Sequence, residues 1–346
     1  MRVGASASRR VRVAGTGLLT LLVTLIGLLF FTFLLTTLSP VDAALRLAGD
    51  RASDSMLAQV RTDLGLDQPW PVRFGSYLTH LAQGDLGVST TSSQPVLGDL
   101  KRALPATLEL ATLAIVLGAS LGLSLGLLAA WRPGGWIDTL VRLFSLIGYS
   151  VPVFWLGLLM LLLFYATLQW AAGPGRLDDG FLYSIQLSSG WMLWDTWRSG
   201  EPGALANAFA HLVLPVLVLG FYAMAGICRL TRSALLGEMG KEYVITALAK
   251  GAGRGRVLLR HVLPNVASTL VVVVALAYAS LLEGSILTET VFAWPGIGRY
   301  LTTALFAGDV PAILGSTFVI GLCFVVVNGV ADVLAGLIDP RTRELL

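Results

Sequence analysis

Charged residues are scarce in this chain. Lys, Arg, Asp and Glu make up 13% of its 346 residues, whereas hydrophobic residues make up 55%. A soluble domain carries about a quarter charged residues, and the mean hydropathy here is +0.77. This composition excludes a soluble globular protein and predicts a chain that crosses a membrane several times. The net charge of +3 is too small to indicate a nucleic-acid partner.

Cysteine and histidine, two residues on which metal sites often depend, are also rare. The two cysteines, Cys228 and Cys323, lie within apolar runs, which favours hydrophobic packing over a disulfide. The histidines, His80, His211 and His261, are far apart and form no ligand pair at helical spacing. We therefore expect no metal site, no catalytic group and no cofactor bound by this chain.

Long apolar runs are what the sequence has instead. A transmembrane helix needs about 20 mostly apolar residues. Such runs cover residues 18–38, 105–131, 140–170, 208–230, 266–287 and 312–338. The first could also be a signal peptide, but its apolar core of about 21 residues is longer than theirs and favours an uncleaved helix. We predict an all-α membrane protein with six transmembrane helices.

The basic residues predict the orientation. The N-terminal and C-terminal tails and the second and fourth loops carry most Lys and Arg, and with six spans all of these fall on one side. The fourth loop is richest, with Arg229, Arg232, Lys241, Lys250, Arg254, Arg256 and Arg260. The long first loop on the other side is acidic, with Asp42, Asp50, Asp54, Asp63, Asp67, Asp85 and Asp99. Both termini are therefore predicted to be cytoplasmic.

Several features inside the spans leave alternatives open. Gly118, Gly122 and Gly126 share one helix face and predict close packing, within the chain or against a partner. Pro152 and Pro215 predict kinks, which could be hinges or ordinary membrane-helix prolines. The aromatic third loop could be an interfacial belt or a lid over a substrate entrance.

A polar, basic segment between the fourth and fifth spans predicts a short helix. Nothing from Glu242 to Gly251 interrupts a helix, and Tyr243, Ala247 and Gly251 recur at four-residue spacing. Val244 and Leu248 recur in the same way and widen the apolar stripe. Gly251 and Gly253 then end the helix. From composition alone, this helix could lie on lipid headgroups or fill a groove on another protein.

The same segment carries a family resemblance. Ala247, Gly251, Leu263 and Pro264 have the spacing of the "EAA" loop of ATP-binding-cassette (ABC) importer permeases. The chain resembles the dipeptide/oligopeptide/nickel branch through further strings in the right order. These are LGLDQP at 64–69, GDLG at 84–87, PATLEL at 105–110, VPVFWLG at 151–157, TETVFAWPGIG at 288–298 and DPRTR at 339–343.

The resemblance implies a type I importer permease of the bacterial cytoplasmic (inner) membrane. Residues 1–103 would form a tail, a first helix and a long extracytoplasmic loop. Residues 104–338 would form the permease domain with a coupling loop at 231–264, and residues 339–346 a cytoplasmic tail. The coupling helix would dock in an ATPase subunit through Glu242, Tyr243, Ala247, Lys250, Gly251, Leu263 and Pro264. Candidates for the translocation path or its gating are Pro152, Trp155, Glu283, Glu289 and Trp294.

The resemblance also implies partners. The chain has no Gly-x-x-x-x-Gly-Lys-Ser/Thr phosphate loop, so ATP and Mg²⁺ are expected in one or two separate ATPase chains. A second homologous permease, in a heterodimer, an extracytoplasmic solute-binding protein and membrane lipid complete the expected set. Leu248, Glu283 and the GPGR start of the third loop at 173–176 depart from the branch. Leu248 bears on docking to the ATPase, and Glu283 and the start of the third loop bear on what the pore accepts.

Other classes of function fit the sequence less well. A secondary transporter or channel working without an ATPase would show inverted repeats, or charges and broken helices near the midplane, and the sequence indicates neither. A membrane-embedded enzyme would need a catalytic constellation that the spans lack. The substrate stays open among dipeptides, oligopeptides, nickel or metallophore complexes, and sugars.

Overall fold

The structure is a computed structural model that describes residues 3–38, 45, 52–63 and 65–338. Helices supply the regular structure of this part, in which an isolated bridge joins Val88 and Pro95. The helices are α1 (Val3–Leu38), α2 (Asp54–Asp63), α3 (Trp70–Ala82), α4 (Val96–Trp131), α5 (Trp136–Ser150), α6 (Val153–Met160), α7 (Asp179–Ser184), α8 (Met192–Ser199), α9 (Ala204–Met239), α10 (Glu242–Ala249), α11 (Arg254–Val257), α12 (Leu263–Val291), α13 (Ile297–Ala307) and α14 (Val310–Ile338). Two π-helical segments, Leu161–Thr167 and Leu258–Val262, follow α6 and α11.

By length and composition, the described chain has five helical stretches that could cross a membrane: α1, α4, α9, the run Arg254–Val291 and α14. The pair α5 and α6 makes a sixth if it is counted as one span. This confirms the predicted all-α membrane architecture. The predicted third span, 140–170, is not one continuous helix, because α5 and α6 meet at a bend of 98°.

Some sequence predictions concern residues outside the described part. These are Asp42 and Asp50 of the first loop, Leu64 of the LGLDQP string, the DPRTR string and the tail 339–346. The described chain falls into two compact units, Met1–Leu104 with Gly296–Val325, and Pro105–Pro295 with Val326–Leu346. These units are defined by packing within the chain. They do not test the predicted domain boundaries after residues 103 and 338, which stay a prediction.

The first unit has an apolar core between the start of α4, α13 and the start of α14. Val96 and Leu100 of α4 are buried there with Ile297 of α13 and Ile313 of α14. A Cβ on Gly315 would lie 2.6 Å from Val96 Cγ1, so only glycine permits this approach of the two helices. Beside the core, the buried Asp309 accepts a hydrogen bond of 2.6 Å from Ser89 Oγ.

The second unit is built around α9, in which 67% of the apolar stretch is buried. The glycines Gly118, Gly122 and Gly126 of α4 face this helix. A Cβ on Gly118 would lie 2.7 Å from Ala223 Cβ, and one on Gly126 would lie 2.7 Å from Thr231 Cβ. The predicted close packing therefore occurs within the chain, between α4 and α9.

Candidate functional site

The predicted short helix is α10, which links α9 to α12. Lys241 precedes it in an extended conformation, and Glu242 places a negative charge in the first turn. The chain turns away at Gly251, whose φ of +85° is a conformation that L residues rarely adopt. A helix of 8 residues is not stable on its own, so its packing must hold it in place.

The inner face of α10 supplies that packing. Val244 is fully buried in a cluster with Leu235 of α9 and Val257 and Leu258 after α10. Ala247, one turn further on, packs against the same cluster. Burying a valine side chain contributes about 1.5–3 kcal/mol. This face therefore attaches α10 firmly to the neighbouring spans.

A single hydroxyl adds a polar attachment to both neighbours. Tyr243 Oη donates to Glu238 Oε1 in the last turn of α9, over 2.9 Å. It accepts a hydrogen bond of 3.0 Å from Asn265 Nδ2 in the first turn of α12. Burial raises the pKa of Tyr243 above an ordinary value that already leaves the hydroxyl protonated at neutral pH, so it can donate. Tyr243 thus joins α9, α10 and α12 at one point.

The outer face of α10 is different in character. Ile245 is 57% exposed and points away from the buried Val244. Leu248 is 38% exposed and lies one turn after Val244, at the edge between the two faces and three residues from Ile245. Glu242 and Ala249 border them and are also exposed. Two apolar side chains held outward on a rigid helix, beside a basic segment, are typical of a protein-binding surface.

The break between α5 and α6 creates a second notable feature. Pro152 has no backbone N–H, and α5 ends two residues before it at Ser150. A cavity of about 360 Å³ opens at the break, lined by Tyr149, Pro152, Tyr222 and Ser280 among others. Non-helical backbone at membrane depth is tolerated where it is buried in protein or lines a watery cavity. The break therefore lies at the wall of a cavity, where such backbone is tolerated.

A buried charge cluster surrounds Glu109 of α4, in the second unit. Arg176 of the third loop forms an ion pair with Glu109, and both side chains are at least nine-tenths buried. Glu109 also accepts hydrogen bonds from the backbone N–H groups of Leu193, over 2.9 Å, and Met192, over 3.2 Å. The Arg176 guanidinium lies 5.1 Å from the ring centre of Trp294. These contacts pin the third loop to α4.

Comparison with known proteins identifies the family. Residues 122–344 match the model of the "binding-protein-dependent transport system inner membrane component", and residues 11–111 match the model of its N-terminal region. The chain belongs to this family. Its members are membrane permeases of ABC transporters, so this chain is a multi-pass transport subunit with a type I importer fold and is not an enzyme.

Curated relatives extend the match over nearly the whole permease. The chain is 43% identical to the probable D,D-dipeptide transport system permease protein of Escherichia coli, over 91% of the chain and 92% of the relative. It is 40% identical to the di/tripeptide transport system permease protein of Pseudomonas aeruginosa, over 94% and 96%. It is 37% identical to the dipeptide transport system permease protein of Alkalihalophilus pseudofirmus, over 94% and 97%.

The predicted coupling residues of this permease have different surroundings. Tyr243 and Ala247 anchor α10 from within, whereas Glu242 and Lys250 are exposed at its two ends. Gly251 forms the left-handed turn after the helix. Leu263 packs against the cluster around Val244, and Pro264 stands in the first turn of α12, where a missing N–H costs nothing.

The predicted path residues also separate into two sets. Pro152 lines the cavity at the break, Trp155 is 51% exposed, and Glu283 is exposed next to the cavity-lining Gly284. Glu289 and Trp294 are fully buried.

Both buried side chains hold α12 and α4 together. Glu289 Oε1 accepts a hydrogen bond of 2.7 Å from Thr107, and Trp294 Nε1 donates to Ala106 O over 2.9 Å. Their positions suit anchoring the end of α12 better than contacting a solute.

Sequence reasoning missed several residues that the structure brings forward. Ile245 is the most exposed apolar residue of α10, yet it fell off the stripe defined by four-residue spacing. Asn265 gave no local signal, because its bond to Tyr243 spans 22 positions. Tyr222 and Ser280 line the cavity but lie within apolar runs that give no signal of a path.

Proposed function

We propose that a separate ATPase subunit drives this permease by gripping the outer face of α10. The observation that carries the proposal is that Ile245 is exposed on a helix whose inner face packs against α9 and α12, and that Leu248 is exposed at the edge of that inner face. To pass a movement of the ATPase on to the spans, α10 needs an apolar surface that the ATPase can bind and a firm attachment to the neighbouring helices. The ATPase would hold ATP and Mg²⁺, since this chain has no phosphate loop.

A continuous series of contacts leads from α10 to the cavity. Tyr243 connects α10 to Glu238 of α9. Earlier in α9, the Arg232 guanidinium donates two hydrogen bonds to Asp138 at the start of α5, over 2.5 and 2.9 Å. A movement of α10 would therefore shift α9 and α5 together rather than α10 alone.

The same helices also touch the cavity directly. The guanidinium of Arg229 on α9 lies 4.6 Å from the ring centre of Tyr149, which lines the cavity at the end of α5. We infer that ATP binding and release shift the permease between two states that expose this cavity to opposite sides of the membrane.

We propose short peptides as the substrates. The relatives at 37–43% identity belong to systems whose names specify dipeptides or tripeptides. Tyr149, Tyr222 and Ser280 line the cavity and carry hydroxyl groups, which are of a kind that hydrogen-bonds peptide amides whatever the peptide's side chains. No described residue favours nickel or a sugar over a peptide.

The proposed assembly follows from the family. A second homologous permease would complete the path, and a solute-binding protein would deliver peptides from outside. The Lys and Arg residues around α10 favour a cytoplasmic position for this helix, with both termini on the same side. A fluorescent protein fused to the C-terminus, which fluoresces only when it is cytoplasmic, tests this orientation.

Disulfide crosslinking tests the docking surface. In a chain whose Cys228 and Cys323 are replaced by alanine, Ile245→Cys should crosslink to a cysteine introduced in the cleft of the co-expressed ATPase. The matched control is Val244→Cys, because Val244 is adjacent but fully buried. Efficient crosslinking from position 244, or none from position 245 in an active transporter, would refute the proposed outer face.

A further inference from the structure

A second polar cavity lies in the first unit. It has a volume of about 480 Å³ and is bordered by one face of α3. Arg73, Ser76, Tyr77 and His80 stand at the spacing of a single helix face and line it together. A cation, two hydroxyls and an imidazole on one wall are groups that bind an oxyanion.

Two of these groups lack a protein partner. Among the residues that the structure describes, the Arg73 guanidinium has no hydrogen-bonded acceptor and makes only a ring contact, 5.5 Å from the centre of Phe33. The Tyr77 hydroxyl is buried and has no hydrogen-bond partner. Burial raises the pKa of Tyr77 to about 12, so the group is a neutral donor. A buried hydroxyl without a partner is costly, and Tyr77 shares a helix face with the half-buried Arg73, which together indicate a ligand.

The cavity lies beside a membrane-spanning helix. The ring of Phe74 on α3 packs 5.5 Å from Phe30 and 5.4 Å from Phe33, both near the end of α1. Trp70, at the start of α3, lies 6.0 Å from Phe30 and is 49% exposed. An aromatic, partly exposed helix against the end of a span is typical of the lipid headgroup region.

The other walls of the cavity are acidic and apolar. Asp85 lines it, and one of its oxygens accepts a hydrogen bond of 2.8 Å from the Gly87 N–H. In the described chain, the contact of Asp85 is with this N–H and that of Arg73 is with the Phe33 ring, so the two are not paired with each other. Pro311 and Leu314 supply an apolar wall. The cavity therefore offers a positive and a negative group at separate positions, next to an apolar surface.

We propose that this cavity binds the headgroup of a phosphatidylethanolamine molecule. Arg73 and Tyr77 hold the phosphate oxygens, and Asp85 faces the ethanolamine ammonium. Pro311 and Leu314 contact the beginning of the acyl chains. A zwitterionic lipid satisfies both charges, whereas phosphatidylglycerol would leave Asp85 without a cation. The bound lipid would fasten α3 to the end of α1.

Native mass spectrometry of the full-length chain, purified with its co-expressed subunits, tests the proposal. The complex is exchanged into mixed vesicles of phosphatidylethanolamine and phosphatidylglycerol, and the retained lipids are counted. We expect preferential retention of phosphatidylethanolamine, reduced about tenfold in Arg73→Gln, as for the loss of a charge-assisted hydrogen bond. Tyr77→Phe removes only the hydroxyl and keeps the apolar ring, so it should reduce phosphatidylethanolamine retention less than Arg73→Gln does.

Controls separate this site from general lipid binding. Arg198→Gln removes an exposed arginine of the third loop and should leave retention unchanged. Excess inorganic phosphate or free dipeptide should not displace the lipid. Equal retention by the Arg73 and Arg198 variants overturns the proposal. Displacement by phosphate alone would make this a free-phosphate site, and displacement by dipeptide a substrate site, and either result also overturns it.

Discussion

At the scale of single residues, Tyr243 shows how one polar atom can join three helices. Its hydroxyl connects Glu238 and Asn265, which are the last turn of one span and the first turn of the next. Both partners have a second contact, Glu238 with Lys241 over 2.7 Å and Asn265 with the His261 carbonyl over 2.7 Å. Removing the hydroxyl therefore loosens the junction without leaving either partner isolated.

Tyr243→Phe should weaken coupling while leaving the transporter assembled. Loss of these hydrogen bonds costs about 0.5–1.5 kcal/mol each, which is small against the packing of Val244. We expect the number of ATP molecules hydrolysed per peptide imported to rise severalfold, measured in liposomes with the ATPase present. Tyr183→Phe, at a residue that is 88% exposed, is the control. An unchanged ratio would show that the hydroxyl transmits nothing.

The glycines of α4 allow a sharper test of packing. A Cβ at Gly118 would meet Ala223 Cβ at 2.7 Å and the Gly220 carbonyl at 2.9 Å, whereas one at Gly226 would meet nothing within 4 Å. Gly118→Ala should destabilise the fold by about 1–3 kcal/mol through overpacking. Gly226→Ala, which adds the same methyl group, should not. Thermal unfolding of both variants in detergent measures the difference, and equal midpoints would contradict the close α4–α9 contact.

At the scale of elements, α10 acts as a unit because its turn at Gly251 and its inner face both fix its direction. The bend of 98° divides the third span into two segments, α5 and α6 with the π-helical turn after it. A broken span is also a property of secondary transporters, so the break itself does not distinguish the two classes. The family match makes that distinction.

The turn after α10 can be tested with a matched pair of glycines. Gly251 has a φ of +85°, whereas Gly253 has a φ of −63°, and a Cβ at either position meets nothing within 4 Å. Gly251→Ala should cost about 1–2 kcal/mol of backbone strain and reorient α10, and peptide uptake should fall strongly. The Gly253→Ala variant should take up peptide normally. Membrane insertion of both is checked by blotting, and equal uptake would refute a fixed direction for α10.

At the scale of the whole molecule, an ABC permease has no energy source of its own. The chain should therefore fail to accumulate labelled dipeptide when it is reconstituted in liposomes alone. Uptake should appear only with the second permease, the ATPase, the binding protein and ATP together. Accumulation by the isolated chain, driven by an ion gradient, would exclude the proposed coupling through α10.

Predictions from the sequence are correct where the signal is local. Apolar runs of sufficient length predicted the spans, and the uninterrupted segment after Lys241 predicted α10, which the structure confirms at Glu242–Ala249. The sequence could not predict which side of α10 faces outward. Helical periodicity groups residues on faces, but the cluster that receives Val244 includes residues before and after α10 in the chain. That choice left Ile245 rather than Ala247 exposed.

By itself, the sequence determined the class of this protein, because hydrophobic length, charge distribution and the ordered motifs of a permease are all written along the chain. Only the tertiary structure decided how these parts act. It paired Tyr243 with Asn265 and Arg176 with Glu109, and it bent the third span around Pro152. The Arg176–Glu109 contact joins residues 67 positions apart and the Thr107–Glu289 contact joins residues 182 positions apart, and no local pattern specifies them. They form when whole helices pack and their polar groups find partners away from lipid.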